Sequence, residues 1–199
     1  MIQPTLYTAR LMLRPFVLSD ARAVQRLAGD AAVAEMTLNV PHPYPDGAAE
    51  SWIASHPPAW AERTAVTFAI ATLDDELRGT IGLQLVLPHG RGEMGYWIGR
   101  PFWGQGLVTE AVGGILAFAF SQLGLNRVQA SHLPRNPASG RVMQKAGMQR
   151  EGLRRESYLK NGRFEDVTAK AGIRVPLARW SLKLRAVFSA SRIVTSMSR

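Results

Sequence analysis

The sequence contains no cysteine, which excludes disulfides, thiolate nucleophiles and cysteine-ligated zinc or iron–sulfur sites. Histidine is scarce: His42, His56, His89 and His132 are scattered without the spacing of a metal site, so no metal is expected. The longest uncharged stretch, residues 111–126, is too short and too polar for a membrane span, and the first residues lack a secretory signal pattern. These absences predict a protein of the reducing cytoplasm with no transmembrane segment.

The composition, 46% hydrophobic and 20% charged over 199 residues, is typical of a globular domain. The net charge of +9 is concentrated at the C-terminal end. Residues 1–166 hold 17 basic and 15 acidic side chains, whereas the last 33 residues hold seven basic and no acidic ones. We therefore divide the chain into a domain, residues 1–175, and a basic amphipathic tail, residues 176–199. Nucleic-acid binding is not expected of the nearly neutral domain, although the tail can contact phosphates.

The pattern of apolar and turn-forming residues predicts the element order β-α-α-β-β-β-α-β-α-β-β. Ser19–Asp20 and Asp46 are each expected to cap a helix, and Gly124 and Gly147 to end two later ones. The predicted strands cover residues 8–16, 66–73, 78–87, 93–99, 127–133, 148–158 and 164–175, and the predicted helices cover residues 19–28, 46–56, 106–123 and 137–146. This order indicates an α/β (α+β) fold, with a mixed sheet and helices on both faces.

A glycine-rich turn joins a predicted strand to the longest predicted helix, in the segment Arg100-Pro-Phe-Trp-Gly-Gln-Gly-Leu-Val-Thr-Glu110. Gly104 and Gly106 remove side chains there, so successive backbone N–H groups can converge on an anion at the helix N-terminus. The segment lacks the lysine of a P-loop and the third glycine of the dinucleotide-binding pattern. Taken alone, the motif is either a pyrophosphate-binding loop or an ordinary loop-to-helix turn.

A second motif follows, in which Asn136-Pro-Ala-Ser139 opens a short helix that reaches Lys145-Ala-Gly147-Met148. The two motifs, in this order after a three-stranded meander, resemble the GNAT superfamily of acyl-CoA-dependent N-acetyltransferases. The segment Trp103-Gly-Gln-Gly-Leu-Val-Thr-Glu-Ala111 and the Asn136-led helix look like the RimJ/RimL-type branch, whose members acetylate protein N-termini or small amines. The resemblance covers about residues 5–175 and leaves the tail outside.

The resemblance implies a mixed, mostly antiparallel central sheet and transfer of an acetyl group from acetyl-CoA to a primary amine. The acceptor is then a protein N-terminus or a small-molecule amine, and acetyl-CoA is the co-substrate, without a metal. Direct attack in a ternary complex is expected, because no cysteine is present to carry an acyl group. The alternative function is a non-catalytic module that binds CoA or another anion and docks to nucleic acid, a ribosome or a membrane through its basic tail.

Three residues are candidates for the chemistry. Glu93 is expected to be the base, because it shares a strand face with Trp97 and many relatives have an acidic residue here; the alternative is a solvated carboxylate. The tyrosine that the family often uses to protonate the leaving thiolate is replaced by Met143, which cannot donate a proton. By resemblance to RimL-like relatives this role falls to Ser139, with Tyr158 as a backup. Ser139 can instead bond backbone at the helix start.

Coenzyme binding is assigned to the glycine-rich turn, the end of the preceding strand and the second motif. The side chain of Asn136 is expected to face the pantetheine arm, while also capping its helix. Lys145 and Arg141 either meet the 3′-phosphate or are plain surface charges. Val108 departs from the small residue of the family, and its β-branched side chain can crowd the phosphates. The assigned residues are Trp97, Ile98, Gly99, Gly104, Gln105, Gly106, Leu107, Val108, Thr109, Asn136, Ser139 and Lys145.

The sequence does not identify the acceptor amine. Its site is expected at the first two helices, their joining loop over residues 39–46 and the hairpin over residues 158–164, because loops above a rigid sheet commonly select substrates. Tyr44, His42 and Trp52 either line this site or anchor the loop by packing. On a helical projection the tail forms an apolar stripe, which predicts docking on its own domain, on a second copy in a homodimer, or on a membrane surface.

Overall fold

The computed structural model describes residues 2–173, which form an eight-stranded sheet flanked by six α-helices. The strands are β1 (Leu6–Tyr7), β2 (Leu11–Arg14), β3 (Ala65–Thr72), β4 (Leu77–Val86), β5 (Arg91–Ile98), β6 (Arg127–His132), β7 (Gln149–Lys160) and β8 (Arg163–Ile173). The helices are α1 (Ala21–Ala28), α2 (Ala31–Glu35), α3 (Ala48–Ala54), α4 (His56–Ala61), α5 (Leu107–Ser121) and α6 (Pro137–Lys145). The predicted tail, residues 176–199, and the roles assigned to it lie outside the described residues.

The sheet order is β1-β2-β3-β4-β5-β6-β8-β7, and every neighbouring pair is antiparallel except β5 with β6. These two strands are parallel and pair only from Arg91 to Glu93 with Arg127 to Gln129, although β5 continues to Ile98. One edge of β5 is therefore left without a strand partner beyond Glu93. This mixed, mostly antiparallel sheet confirms the predicted fold class, and the unpaired edge opens the site.

Helices cover both faces of the sheet around two apolar cores. The larger core lies under α5 and α6, where the rings of Phe68 and Phe118 meet edge-on with 5.6 Å between centroids. Helix α5 is apolar almost all round because it crosses the middle of this core. The smaller core lies under α1 and α3 and includes Val24, Ile53 and Trp97. Within residues 2–173, no helix is long and apolar enough to cross a bilayer.

The two predicted N-caps differ from the structure in different ways. Asp20 is the N-cap residue of α1, as predicted, but its carboxylate makes no hydrogen bond to α1; it binds Arg14 at 2.8 Å and accepts from Val17 N at 3.0 Å. Asp46 accepts a hydrogen bond from Gln25 at 2.8 Å, and the residue that precedes α3 is Gly47, at φ +75°. Each carboxylate binds a side chain outside the helix that it was expected to cap, Arg14 or Gln25, and this bond competes with a side-chain cap.

Element boundaries also differ at the N-terminal end of the chain. The predicted opening strand divides into β1 and β2, because Thr8 N bonds Leu11 O at 2.9 Å and turns the chain between them. The predicted helix over residues 46–56 ends at Ala54, and α4 begins at His56, just before two prolines. Helix α2 was not predicted; its cap is Asp30, whose Oδ1 accepts from Ala32 N at 2.8 Å.

Candidate active site

A cleft of about 1150 Å³ opens where the pairing of β5 with β6 ends. One side is formed by the glycine-rich turn before α5 and by α6, the two motifs assigned to the coenzyme. The other side is formed by α1 to α3, the loop before α3 and the end of β7, the region assigned to the acceptor. The structure therefore brings both predicted regions to one cavity. Of the predicted coenzyme and catalytic residues, Gly99 and Gln105 are the two that do not line it. Of the three acceptor candidates, Tyr44 and Trp52 line it, whereas His42 does not: its Nδ1 lies 3.2 Å from Gly29 O.

The glycine-rich turn presents free backbone N–H groups to the cleft. Gly104 and Gly106 have φ of +76° and +77°, a left-handed conformation that explains why both are glycine. The first intrahelical hydrogen bond of α5 runs from Glu110 N to Gly106 O at 3.1 Å, so the N–H groups of residues 107–109 have no acceptor inside the helix. A Cβ added at Gly104 would meet no atom within 4 Å. Free donors, open space and the positive end of the helix dipole together suit a diphosphate.

An ion pair holds this turn from behind. Glu110 accepts hydrogen bonds from Thr8 Oγ1 at 2.6 Å, from Arg10 N at 2.7 Å and from Arg10 Nε at 2.7 Å. Arg10 Nη1 also donates to Gln105 O at 3.2 Å. Although burial raises the pKa of the Glu110 carboxyl, the hydrogen bonds from Thr8 and Arg10 outweigh it and hold that pKa below its ordinary value. The turn between β1 and β2 thus anchors the glycine-rich turn.

The neighbours of the two glycines fix the turn in different ways. Trp103 donates from its indole Nε1 to Ile98 O at 2.8 Å, which closes the turn onto the end of β5. The Gln105 side chain donates to Pro101 O at 3.1 Å, back along the chain. Val108 is partly buried against the larger core, so helical packing accommodates its β-branched side chain.

The unpaired edge of β5 lies along the same side of the cleft. Gly99 N donates to Arg78 O of the β4 side at 2.9 Å, so strand alternation turns the backbone groups of Trp97 and Gly99 toward β4. The same alternation turns those of Tyr96 and Ile98 toward the open edge. A Cβ at Gly99 would lie 2.7 Å from Leu27 Cδ2 and 3.3 Å from Phe102 Cδ2, so a side chain there would displace packed neighbours. The predicted strand-edge contacts therefore move from Trp97 and Gly99 to Tyr96 and Ile98.

The start of α6 is fixed by Asn136. Its Oδ1 accepts from Ser139 N at 3.1 Å, the helix cap predicted from the sequence, and its Nδ2 donates to Met36 O at 3.1 Å. Both ends of the amide are thus engaged with protein while the residue lines the cleft. Asn136 joins the coenzyme side of the cleft to the acceptor side.

Ser139 is paired with a tyrosine that the sequence did not single out. The Tyr96 hydroxyl lies 2.8 Å from Ser139 Oγ and 3.2 Å from Ser139 O. Burial raises the pKa of Tyr96 to about 12, so the phenol keeps its proton at neutral pH. A tyrosine that donates this proton to Ser139 Oγ leaves the serine hydrogen free to point at an acceptor in the cleft.

Glu93 lies half-buried at the last position of β5 that pairs with β6. Gln129 Nε2 donates to its Oε2 at 3.2 Å. Among residues 2–173, Glu93 is the one carboxylate that lines the cleft. Tyr158 lines it too, and burial, followed by the negative charge of Glu93, raises the pKa of the Tyr158 phenol. The arrangement places a carboxyl group and a phenol hydroxyl in the same part of the cleft, two kinds of group that can move protons.

Three carbonyls at the end of α2 are held by two side chains, an arrangement that we call the carbonyl clasp. Lys160, 9% exposed, donates from Nζ to Ala34 O at 2.7 Å and to Thr37 O at 2.5 Å. Asn136 donates to Met36 O between them. Burial lowers the pKa of the Lys160 ammonium. The clasp fixes the segment that leads into the acceptor loop.

Two cations and a methionine complete α6. Lys145 and Arg141 are exposed and line the cleft, where either can reach an anionic group. Met143 is 1% exposed, so the position of the family tyrosine is part of the core here. In the part of the chain that the structure describes, no three His, Asp or Glu side chains are grouped to hold a metal.

Sequence reasoning missed the supporting residues around the motifs. Glu110 stands inside the quoted first motif, but its partner Arg10 lies 100 residues away. Tyr96 and Lys160 carry no local signal, because their partners are 43 and 126 residues distant in the chain.

Known proteins resemble this chain in both sequence and fold. The family model described as "Acetyltransferase (GNAT) domain" matches residues 10–149. The chain is 35% identical over 166 residues to "Uncharacterized N-acetyltransferase p20" of Bacillus licheniformis. The aligned region covers 82% of this chain and 92% of the relative. These matches confirm the resemblance drawn from the two motifs.

Two solved structures show the same fold. RimJ of Mycobacterium smegmatis, in complex with CoA-disulfide, has a TM-score of 0.80 at 22% identity, over 92% of this chain and 94% of that chain. RimL, named as a ribosomal L7/L12 alpha-N-protein acetyltransferase and solved in complex with coenzyme A, has a TM-score of 0.78 at 18% identity, over 85% of this chain and 98% of that chain.

Proposed function

This chain belongs to the GNAT acetyltransferase family and is an acetyl-CoA-dependent N-acetyltransferase, and on that premise we propose that it acetylates a primary amine by direct attack in a ternary complex. The observation that carries the proposal is the shared cleft, which is lined both by the free N–H groups before α5 and by Glu93. The acceptor is a protein N-terminus or a small-molecule amine. The cytoplasmic location and the homodimer stay predictions from the sequence.

Glu93 is the proposed base. An aliphatic or N-terminal amine, with a pKa of about 8 to 10, is mostly protonated at neutral pH and must lose a proton before it attacks. The Glu93 carboxylate accepts that proton directly or through one water. The nitrogen lone pair then forms the C–N bond at the thioester carbonyl, the C–S bond breaks, and the second nitrogen proton leaves to solvent. The hydrogen bond from Gln129 orients the carboxylate toward the cleft.

Ser139 is the proposed donor to the leaving sulfur, with Tyr158 as the backup. A thiol has a pKa of about 8.5, well below that of an aliphatic alcohol, so the thiolate needs a hydrogen bond from Ser139 rather than its proton. Tyr96, hydrogen-bonded to Ser139 at 2.8 Å, is proposed to orient the serine hydroxyl. The thiolate takes its proton from solvent after release.

The coenzyme is proposed to bind along the glycine-rich turn and the open edge of β5. The backbone N–H groups of residues 107–109 would hold the diphosphate. The backbone of Tyr96 and the N–H of Ile98 would offer edge groups to the pantetheine amides, because Ile98 O already accepts from Trp103. Lys145 and Arg141 would meet the 3′-phosphate. The open space at Gly104 fits this assignment, because a side chain there would enter it.

Acetyl-CoA turnover with a panel of peptides and small amines tests the proposal, with Glu93→Gln as the diagnostic variant. General base catalysis contributes roughly 10²- to 10⁴-fold, so we expect Glu93→Gln to lower kcat/KM by about 100-fold or more. The matched control is Glu62→Gln, on an exposed surface outside the cleft, which should leave kcat/KM unchanged. A loss of less than about threefold for Glu93→Gln would discard it as the base.

A further inference from the structure

Two facing glycines leave a gap in the sheet that forms the floor of the cleft. Gly82 of β4 stands opposite Gly95 of β5, and both line the cleft. A Cβ added at Gly95 would meet no atom within 4 Å, so the space above this residue is open. Glu93 and Trp97 lie on the same strand face, two residues to either side, which is about 7 Å along the strand. Gly95 therefore leaves a gap beside the proposed base.

The helices and the loop over the cleft present apolar side chains to it. Helices α1 and α2 contribute aliphatic ones, the loop before α3 contributes a valine and a tyrosine, and α3 contributes a tryptophan: Val24, Ala28, Val33, Val40, Tyr44 and Trp52. The polar side chains of Thr67, Thr80 and Gln84 belong to the sheet itself. The Trp52 ring is held from behind by Phe16 at 5.0 Å and by His56 at 4.4 Å between ring centroids. We call the gap and these walls the acceptor trough.

Charge in the cleft is sparse on this side. Among the described lining residues Glu93 is the one carboxylate, and Arg135, which lines it as well, is paired with Glu165 at 2.6 Å. An acceptor with two or more ammonium groups would leave the extra charges without a partner, at a desolvation cost. The trough therefore favours an acceptor that has one amine and an apolar substituent.

We propose that this enzyme prefers amines with an apolar group next to the amino carbon, and that Gly95 determines this preference by leaving room for that group in the acceptor trough. The amine lies at Glu93, and its substituent packs over Gly95 against Tyr44 and Trp52. This inference rests on the proposed function, because it takes Glu93 to be the base. Two kinds of acceptor carry one amine with such an apolar group: a peptide with a leucine N-terminus and a free amine such as isopentylamine.

The test compares acceptors on the full chain with acetyl-CoA. Peptides that differ only in a first residue of Leu, Ser or Lys are assayed beside isopentylamine, ethanolamine and spermidine. Because a hydrophobic pocket discriminates by about 10- to 200-fold, kcat/KM for the apolar member should exceed that for its polar counterparts at least about tenfold. If the peptide arm alone shows this, the acceptor is an N-terminus; if the free-amine arm alone shows it, the acceptor is a small molecule.

Gly95→Val tests the residue itself. Its side chain fills the trough, so the Leu-to-Ser ratio, or the isopentylamine-to-ethanolamine ratio, should fall at least about tenfold. Gly95→Ala should give a smaller fall, and Ala54→Val, on an exposed position outside the cleft, should leave the ratio unchanged. Thermal melting and acetyl-CoA calorimetry check that each variant is folded.

The possible outcomes distinguish a failure of the proposed acceptor preference from a failure of the proposed acetyltransferase function. Preference for serine, lysine or spermidine acceptors, or an unchanged ratio in folded Gly95→Val, overturns the inference and leaves the acetyltransferase intact. Binding of acetyl-CoA without acetylation of either apolar acceptor overturns it too. Failure to bind acetyl-CoA at all overturns the proposed function, and the inference with it.

Discussion

The two sides of the cleft are built differently. On the coenzyme side, one short turn supplies the proposed ligands from its backbone, and the side chains of Arg10 and Glu110 support it from behind. On the acceptor side, the wall comes from separate segments that Lys160 and Asn136 join through the carbonyl clasp. The coenzyme side should therefore depend most on glycine conformation. The acceptor side should depend most on a few distant side chains.

Gly106→Val should weaken the coenzyme side without affecting the acceptor side, and this is the largest such difference that we expect. At φ +77° a β-branched residue is strained by about 1 to 3 kcal/mol, and relief of that strain would move the N–H groups before α5. We expect calorimetry to show acetyl-CoA binding at least about tenfold weaker. Gly124→Val is the matched control: it has φ +67°, lies outside the cleft and should lose stability without losing affinity. Equal affinities for wild type and a folded Gly106→Val would refute the role of the turn.

Lys160→Met should disturb the acceptor side alone. It removes the donor to Ala34 O and Thr37 O, leaving buried carbonyls unsatisfied at a cost of about 1 to 3 kcal/mol. Steady-state kinetics should show the KM for the acceptor rising about tenfold, with acetyl-CoA affinity within about twofold of wild type. Lys160→Arg keeps donors at this position and should recover part of the loss. If acetyl-CoA affinity falls as much as acceptor affinity, the two sides are not independent.

Tyr96→Phe tests whether Tyr96 orients Ser139, the proposed donor to the leaving sulfur. It removes the hydroxyl beside Ser139 Oγ, so kcat should fall roughly 5- to 10-fold, as expected for one hydrogen bond, while the KM for acetyl-CoA changes little. A positioning role also requires that Tyr96→Phe add nothing to the loss in Ser139→Ala. Additive losses in the double variant would show that Tyr96 does not act through Ser139.

Acidification should lower the free energy of unfolding by a small amount, through a histidine that packs on the acceptor side. Burial lowers the pKa of His56 to about 4, and neither ring nitrogen has a hydrogen-bond partner among the described residues. In the unfolded chain His56 becomes protonated near pH 6.5, whereas in the folded chain it stays neutral down to about pH 4. The free energy of unfolding therefore falls as the pH drops from about 6.5 toward 4. From pH 7.5 to 6 the loss is about 0.8 kcal/mol. Urea unfolding of His56→Phe should lack this part of the pH dependence; identical pH profiles would contradict it.

The coenzyme side could be predicted from the sequence because its signals are local. Gly104 and Gly106 stand two residues apart at a helix start, and both take the left-handed φ that such a turn requires. The strands of the meander follow one another as hairpins, so alternation and turn residues were sufficient to find them. The functional roles of the residues on this side stay predictions.

The acceptor side could not be predicted to the same depth, because its contacts join distant parts of the chain. The partners of Lys160, Ala34 and Thr37, lie 126 and 123 residues before it, and no periodic pattern marks a buried lysine that bonds carbonyls. Neither Asp20 nor Asp46 gives its helix a side-chain cap bond, because each binds another side chain, Arg14 or Gln25. Helix α2, with five residues, is too short for its periodicity to be read.

A crystal structure of the full chain with acetyl-CoA would show where the coenzyme binds and where its thioester lies. We expect the diphosphate at the N–H groups of residues 107–109 and the thioester carbonyl between Glu93 and Ser139. A coenzyme bound away from the glycine-rich turn, or a thioester out of reach of Glu93, would contradict this expectation.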